Sequence, residues 1–230
     1  MIQTFRHGNV TATIYLGDSL LIAPTISGVD AVISDPPYGM DWDTDSTRFT
    51  GGTVKRGTGR DDYGQIKGDA VPFDPAPWTA YGKCVLFGSN HFASKLPVGT
   101  TLVWIKKDAH LWGSFLSDAE TAWMKGGCGV YLFSKPFPPP ARAIDAGNNH
   151  LIPTGIHPTQ KPVSLMAWCM TRAKVPEGAT VLDPYMGSGS TAIACLRTGR
   201  NFVGIEIDPA HYKTAAERIA REVSNPLLFP

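Results

Sequence analysis

Within its last third the chain reads strand, helix, strand, helix in about forty residues, and neither an all-helical nor an all-strand fold accommodates that order. TVLDP, starting at Thr180, is an apolar run of strand length, and TAIACLRTG is a helix pattern closed by Gly199. FVGIEID, starting at Phe202, is a second strand, and PAHYKTAAERIAREV is a helix with Pro209 in its first turn. Strands joined through a helix run parallel, so this unit predicts a doubly wound α/β fold with a mostly parallel sheet.

The upstream chain supplies the remaining strands. TATIYLGDSL holds a short strand, and residues 19–28 a brief helix capped by Asp18 or Ser19. VDAVISDPPYG is a buried strand that stops at Pro36 and Pro37, which leaves Asp35 to Tyr38 in a loop at its carboxyl end. KCVLFG and TLVWIK are further strands. ETAWMK (120–125) and VYLF (130–133) predict an antiparallel hairpin turning at Gly126 and Gly127, which places a hairpin at one edge of the sheet. VSLMAWCMTRA (163–173) has helical spacing. Residues 39–68 are polar and glycine-rich and read as a mobile loop, and 135–158 read as irregular. One domain accounts for residues 1–230.

Composition narrows the function classes only a little. No run of eighteen apolar residues exists, so no membrane-spanning helix is predicted, and MIQTFRHGNV lacks the apolar stretch of a signal peptide. The expected location is the cytoplasm. Cys84, Cys128, Cys169 and Cys195 are too scattered for a zinc or redox motif, and the expectation is reduced thiols with no metal. A net charge of +1 is compatible with nucleic-acid binding only if basic residues gather on one face.

The chemistry concentrates in two strand-end loops. Between strand and helix lies Asp183-Pro-Tyr185-Met-Gly187-Ser188-Gly189-Ser-Thr191. Glycines there let a ligand approach the backbone, and Glu206 ends the next strand 23 residues past Asp183, where an acidic residue bonds ribose hydroxyls. The segment lacks both the third glycine of a dinucleotide fingerprint and the GK[ST] of a phosphate loop. A ligand with a ribose and no pyrophosphate fits it better, and S-adenosylmethionine is such a ligand. The competing reading is a plain tight turn beside a solvated acid.

The second loop is Asp35-Pro36-Pro37-Tyr38. With His157-Pro158-Thr159-Gln160-Lys161-Pro162 and LDPYMGSGST, it resembles the signature segments of the amino-group DNA methyltransferases. The order, catalytic motif first and cofactor motif last, is that of the beta-type arrangement. IKGDAVPFDPAPW, LFGSNHFASKLP and DAETAW resemble small modification methylases carried by phages and prophages. The resemblance implies a doubly wound, Rossmann-like methyltransferase fold that uses S-adenosylmethionine on DNA.

An exocyclic amine is a poor nucleophile until its lone pair leaves the ring plane. Two acceptors aimed at its N–H groups favour that geometry: the Asp35 carboxylate and the Pro36 carbonyl. Pro37 shapes the loop, and Tyr38 offers a face on which an extruded base stacks. No Pro-Cys pair is present, which argues against cytosine-C5 chemistry and its thiolate.

The resemblance also implies cofactor contacts at Asp18, Asp35, Thr159, Lys161, Asp183, Tyr185, Gly187, Ser188, Gly189 and Glu206. Asp18 would read the adenine amino group, or else cap a helix. Thr159 and Lys161 would hold the methionine end. Phe87 reads as core, while Gly88 and Asn90 are candidates for the base pocket. Arg48, Lys55, Arg56 and Arg60 in the loop, with Lys106 and Lys107 at a strand end, are candidates for DNA phosphates. Target recognition falls to residues 126–156, a short stretch. It therefore reads few base pairs, recruits the loop at 40–68, or needs a second subunit in a homodimer.

Asp35 favours adenine N6, because members acting on cytosine N4 more often carry Ser there. N4 of cytosine is the nearest rival, and a DNA-binding protein without turnover is a rival of another class.

Overall fold

The computed structural model describes residues 1–40, 70–114, 117–134 and 160–224. They build an eight-stranded sheet from β1 (Ile2–His7), β2 (Val10–Leu16), β3 (Ala31–Ser34), β4 (Lys83–Phe87), β5 (Gly99–Ile105), β6 (Ala119–Ser134), β7 (Thr180–Asp183) and β8 (Asn201–Glu206). Their spatial order is β1-β2-β8-β7-β3-β4-β6-β5. The last two strands of the chain thus lie in the middle of the sheet. β2, β8, β7, β3 and β4 are parallel in sequence across it. The doubly wound expectation holds.

The central strands are apolar without interruption because both of their faces are covered. On one face Ala31 and Ile33 of β3 and Val85 and Phe87 of β4 pack with α3 (Val163–Arg172), α4 (Ser190–Arg197) and α5 (Pro209–Val223). On the other, Val32, Cys84, Leu86, Leu182 and Ile205 join Ala23, which follows α1 (Ser19–Ile22), and Trp78 of α2 (Ala76–Thr79). Local signals set the helix ends. Asp208 caps α5 by accepting from the N–H groups of Ala210 (2.8 Å) and His211 (3.3 Å), with Pro209 next. α4 stops just before Gly199, whose φ is +65°.

Two features differ from the sequence reading. β1 was not foreseen. It pairs antiparallel with β2, so the antiparallel hairpin at a sheet edge is β1–β2. Residues 120–125 and 130–133 do not pair with each other. Both lie in β6, and both pair with β5: Thr100 faces Met124 and Ile105 faces Ala119 on one side, while Thr101 faces Val130 and Ile105 faces Ser134 on the other. β5 separates the two arms, and the chain passes around its start at Gly126 and Gly127 (φ +84° and +69°). Residues 126–134, assigned to target recognition, therefore continue a strand; the rest of that stretch lies outside the described residues.

Candidate active site

The carboxyl ends of the five parallel strands carry Asp18, Glu206, Asp183, Asp35 and Gly88 along one rim. From β7 the chain proceeds to β8 on one side, and from β3 to β4 on the other. This divergence is a switch point of the sheet, where a crevice opens for ligands. It sets the Asp35 loop beside the glycine turn, although about 150 residues separate them.

A buried carboxylate fastens the two together. Asp183, 3% exposed, accepts from Ser34 Oγ (2.6 Å), Thr191 Oγ1 (2.6 Å) and the Tyr185 N–H (3.2 Å). It was expected among the cofactor ligands, but its oxygens are committed to joining β3, β7 and α4. Burial pushes its carboxyl up to about 6, against the opposing pull of those bonds. Between about pH 4 and about 6 the folded chain keeps a proton there that the unfolded chain has lost. This stabilising contribution is complete below about pH 4 and is lost as pH rises through about 6. Asp183→Asn should remove the fall, so urea midpoints at mildly acidic and neutral pH should lie closer together in the variant than in wild type. Equal spacing in both proteins would contradict this.

The turn itself is built to be open above and held below. Gly187 (φ +49°) and Gly189 (φ +81°) adopt the left-handed region, and nothing lies within 4 Å of where a Gly187 side chain would begin. Glu206, 8% exposed, accepts from the Gly187 N–H at 2.9 Å and from the Asp208 N–H at 2.8 Å. Burial raises its carboxyl above the ordinary value despite these bonds. From beneath, buried Arg218 of α5 donates to the Ser188 carbonyl (3.1 Å), to Ser188 Oγ (3.3 Å) and to Ser190 Oγ (3.0 Å). Ser188 thus turns inward rather than toward a ligand. Tyr185 sits edge-on to Phe73 and Trp78. Asp18 caps α1 through the Leu20 N–H (2.8 Å), so the capping reading is realised.

The Asp35 loop is held as firmly. Tyr38 donates to Asp35 Oδ1 (2.6 Å) and stacks on His91, with ring centroids 4.9 Å apart. Lys161 Nζ contacts Asp35 Oδ2 at 2.5 Å and Glu120 Oε2 at 2.9 Å, and Lys106 holds Glu120 Oε1 at 2.8 Å. Lys161, expected on the cofactor, is 5% exposed and lies between two carboxylates. Burial opposes its charge, but Asp35 and Glu120 outweigh that and keep it a cation. Burial lifts Asp35 above its usual value, with Lys161 pulling the other way.

Phe87 is core, as expected, while Asn90 accepts from Thr121. The two strand-end lysines are corrected: Lys106 pairs with Glu120, and Lys107 with Asp118 (2.8 Å) and Ser114, so neither presents a bare charge to DNA. Thr159, Arg48, Lys55, Arg56 and Arg60 lie outside the described residues. Among the described residues no His, Cys, Asp or Glu cluster suits a metal. Sequence reasoning missed Glu120, His91 and Arg218. A Glu at a strand start and an Arg on an amphipathic helix carry no local signal of burial.

The profile of a DNA methylase family matches residues 133–217, which span the glycine turn and Glu206. A proposed methylase, YubD of Escherichia coli (strain K12), is 27% identical over 217 residues, covering 89% of this chain and 88% of its own. The chain is similar to the amino-group DNA methyltransferases in this profile and in this relative. The fold is shared with solved members of this kind. The M1.HpyAVI–SAM complex matches with a TM-score of 0.53 at 22% identity, over 90% of this chain and 98% of that one. The cytosine-N4-specific PvuII DNA methyltransferase matches with a TM-score of 0.54 at 14% identity, over 93% and 91%.

The residues at this site fit the expected cofactor. The Gln160 side-chain nitrogen is buried with no hydrogen-bond partner, and its oxygen lies 3.5 Å from Ser188 Oγ at the turn. It is a donor awaiting an acceptor such as a carboxylate. Glu206 retains lone pairs for ribose hydroxyls, and half-exposed Ile207 adds an apolar surface beside it.

Proposed function

We propose that the chain methylates N6 of adenine in DNA by direct attack of an extruded base on S-adenosylmethionine. The DNA methylase profile over residues 133–217 and the likeness to YubD support the N6/N4 amino-group class; the choice of base and the residue roles are our reading. One observation carries it: Asp35, at the end of β3, stands at the switch point beside the glycine turn of β7. An amine held by Asp35 is thereby within reach of a methyl donor seated over Gly187.

Asp18, Tyr185, Gly187, Gly189, Gln160 and Glu206 would hold S-adenosylmethionine, which supplies an electrophilic methyl group when bound. The chain's own residues do the rest. Asp35 and the Pro36 carbonyl accept the two amino hydrogens, turn the lone pair toward the methyl group and stabilise the charge that grows on nitrogen. Burial and the neighbouring Asp35 hold the Tyr38 phenol well above its usual value, so it remains a donor to Asp35. One face of Tyr38 rests on His91, which leaves the other for the base. Proximity provides much of the remaining acceleration, and no covalent enzyme intermediate is required.

DNA is the partner in this reading. Arg48, Lys55, Arg56 and Arg60 meet its phosphates, and a homodimer supplements the short recognition stretch. The protein works in a bacterial cytoplasm, encoded by the host or a phage. Asp35 favours adenine, while the fold shared with the PvuII enzyme keeps cytosine N4 as the second reading. Mass spectrometry of nucleosides from DNA incubated with the protein and S-adenosylmethionine should show N6-methyladenine. N4-methylcytosine alone would replace the base assignment, and neither product would favour a binding protein without turnover.

A further inference from the structure

The described state of Asp35 poses a difficulty for the reaction just proposed. Tyr38 occupies Oδ1, and the Lys161 ammonium sits 2.5 Å from Oδ2. Each oxygen keeps a further lone pair, but a cation that close draws off the carboxylate's charge and makes Oδ2 a poor acceptor for the amino hydrogen. Oδ2 regains its full acceptor strength when Lys161 moves off it. At 5% exposure it has no water to move into, and a buried ammonium needs another anion. Glu120 Oε2, 2.9 Å from the same nitrogen, is that anion.

We infer that Glu120 is a positioning residue for the transfer: it is the second seat of the Lys161 ammonium, to which the lysine withdraws when Asp35 Oδ2 takes the amino hydrogen of the base. This rests on the methyl-transfer reading above. Three elements converge to make the seat. Glu120 stands at the start of β6, next to Thr121, whose carbonyl accepts the Gly88 N–H at 2.8 Å. Lys106, just past the end of β5, holds Glu120 Oε1 at 2.8 Å. Lys161 lies just ahead of α3, and its nitrogen is 5.4 Å from the centre of the Phe87 ring.

Among the described residues, the charged and titratable groups facing the cluster are Asp35 and Tyr38 from the loop after β3, His91 stacked on Tyr38, Lys106, Glu120 and Lys161. Asp183 of β7 lies behind them through Ser34. Burial pushes the Glu120 carboxyl upward, but Lys161 and Lys106 together bring it down to about 2, so it is anionic whenever the lysine arrives. The lysine thus shuttles between two carboxylates without leaving a buried charge unpaired.

Glu120→Gln keeps the shape and removes the second seat. It should lower kcat on DNA by roughly 10- to 100-fold, as expected for a misplaced reacting group. Affinity for S-adenosylhomocysteine should hold, which shows that the variant is folded. The acid limb of its pH–rate profile should move to lower pH, because Asp35 loses a negative neighbour and keeps its cation; a merely structural role would not shift that limb. Glu120→Asp should restore part of the rate. In a Lys161→Met background, Glu120→Gln should cost little more, since there is no ammonium left to draw away.

An active wild type whose Glu120→Gln variant matches it in both kcat and acid limb would overturn this inference alone. An equal loss with and without Lys161 would do the same. A wild type that transfers no methyl group to any DNA would instead overturn the reaction on which it rests.

Discussion

Replacing Asp35 with alanine should lower methyl transfer to DNA by at least roughly 10²- to 10³-fold, the scale set by removing one preorganised partner from a developing charge. Binding of S-adenosylhomocysteine should change by no more than about threefold, because the lost interaction belongs to the transition state. The structure gives reason to expect a folded variant. Asp35 is 20% exposed at its side chain, and its removal leaves Lys161 still paired with Glu120. Tyr38 loses its acceptor but keeps its stacking on His91. Asp35→Asn is the stricter comparison. Its amide retains one acceptor oxygen, but the NH₂ group must face either the Tyr38 hydroxyl or the Lys161 ammonium. Turned toward Tyr38 it can donate to the hydroxyl oxygen, so the loop keeps its shape, but the negative charge that offsets the charge growing on nitrogen is gone and asparagine should rescue little. Initial rates with labelled cofactor, beside calorimetry with S-adenosylhomocysteine, separate the two effects. Wild-type rates in either variant would remove Asp35 from the mechanism.

The features legible in the sequence were those whose signal is local. DPPY and DPYMGSGST each follow an apolar strand within a few residues, so both the strand end and the loop could be read without knowing what lay beside them. The βαβα unit was legible for a related reason. Its strands are buried on both faces, and its helices carry Pro209 at one start and Gly199 at one stop. β1 escaped notice because Ile2, Gln3, Thr4 and Arg6 are all exposed, which leaves no apolar alternation.

The arms of β6 were misassigned because pairing is not a local property. Gly126 and Gly127 signal a change of direction, and only the fold shows that β5, some twenty residues upstream, lies between the arms. The same limit applied at the site. Asp183, Lys161 and Lys106 were identified as charged groups of interest, but each proved to be committed to a partner far away in sequence: Ser34, Asp35 and Glu120. The resemblance pointed to candidate ligand residues, whereas the residues that hold the site in place emerged from contacts. Gly88, a candidate for the base pocket, proves to hold Tyr38 by contact, and its replacement should be among the most damaging single changes in the chain.

Gly88 ends β4 with φ +70° and ψ 22°, in the left-handed region, and its N–H is bonded to the Thr121 carbonyl. A β-carbon added there would lie 2.0 Å from Tyr38 Cε1 and 2.3 Å from Cδ1. No carbon tolerates that approach, so in Gly88→Ala either the ring or the strand end must shift. The ring is the looser of the two, but it is pinned between the Asp35 carboxylate and the His91 imidazole, and moving it breaks the 2.6 Å bond to Asp35. We expect a loss of stability of about 1–3 kcal/mol, of which about 1 kcal/mol is the left-handed backbone and the remainder the clash. Activity should fall by roughly 100-fold, because the stacking face and the carboxylate are displaced together. A second substitution separates these contributions. Added to Tyr38→Ala, Gly88→Ala meets no ring, so a urea titration of the double variant against Tyr38→Ala alone should show only the backbone cost, while activity stays low for want of the ring. Were Gly88→Ala to turn over DNA at the wild-type rate, the position of Tyr38 would have no bearing on catalysis, and the stacking role assigned to it would have to be abandoned.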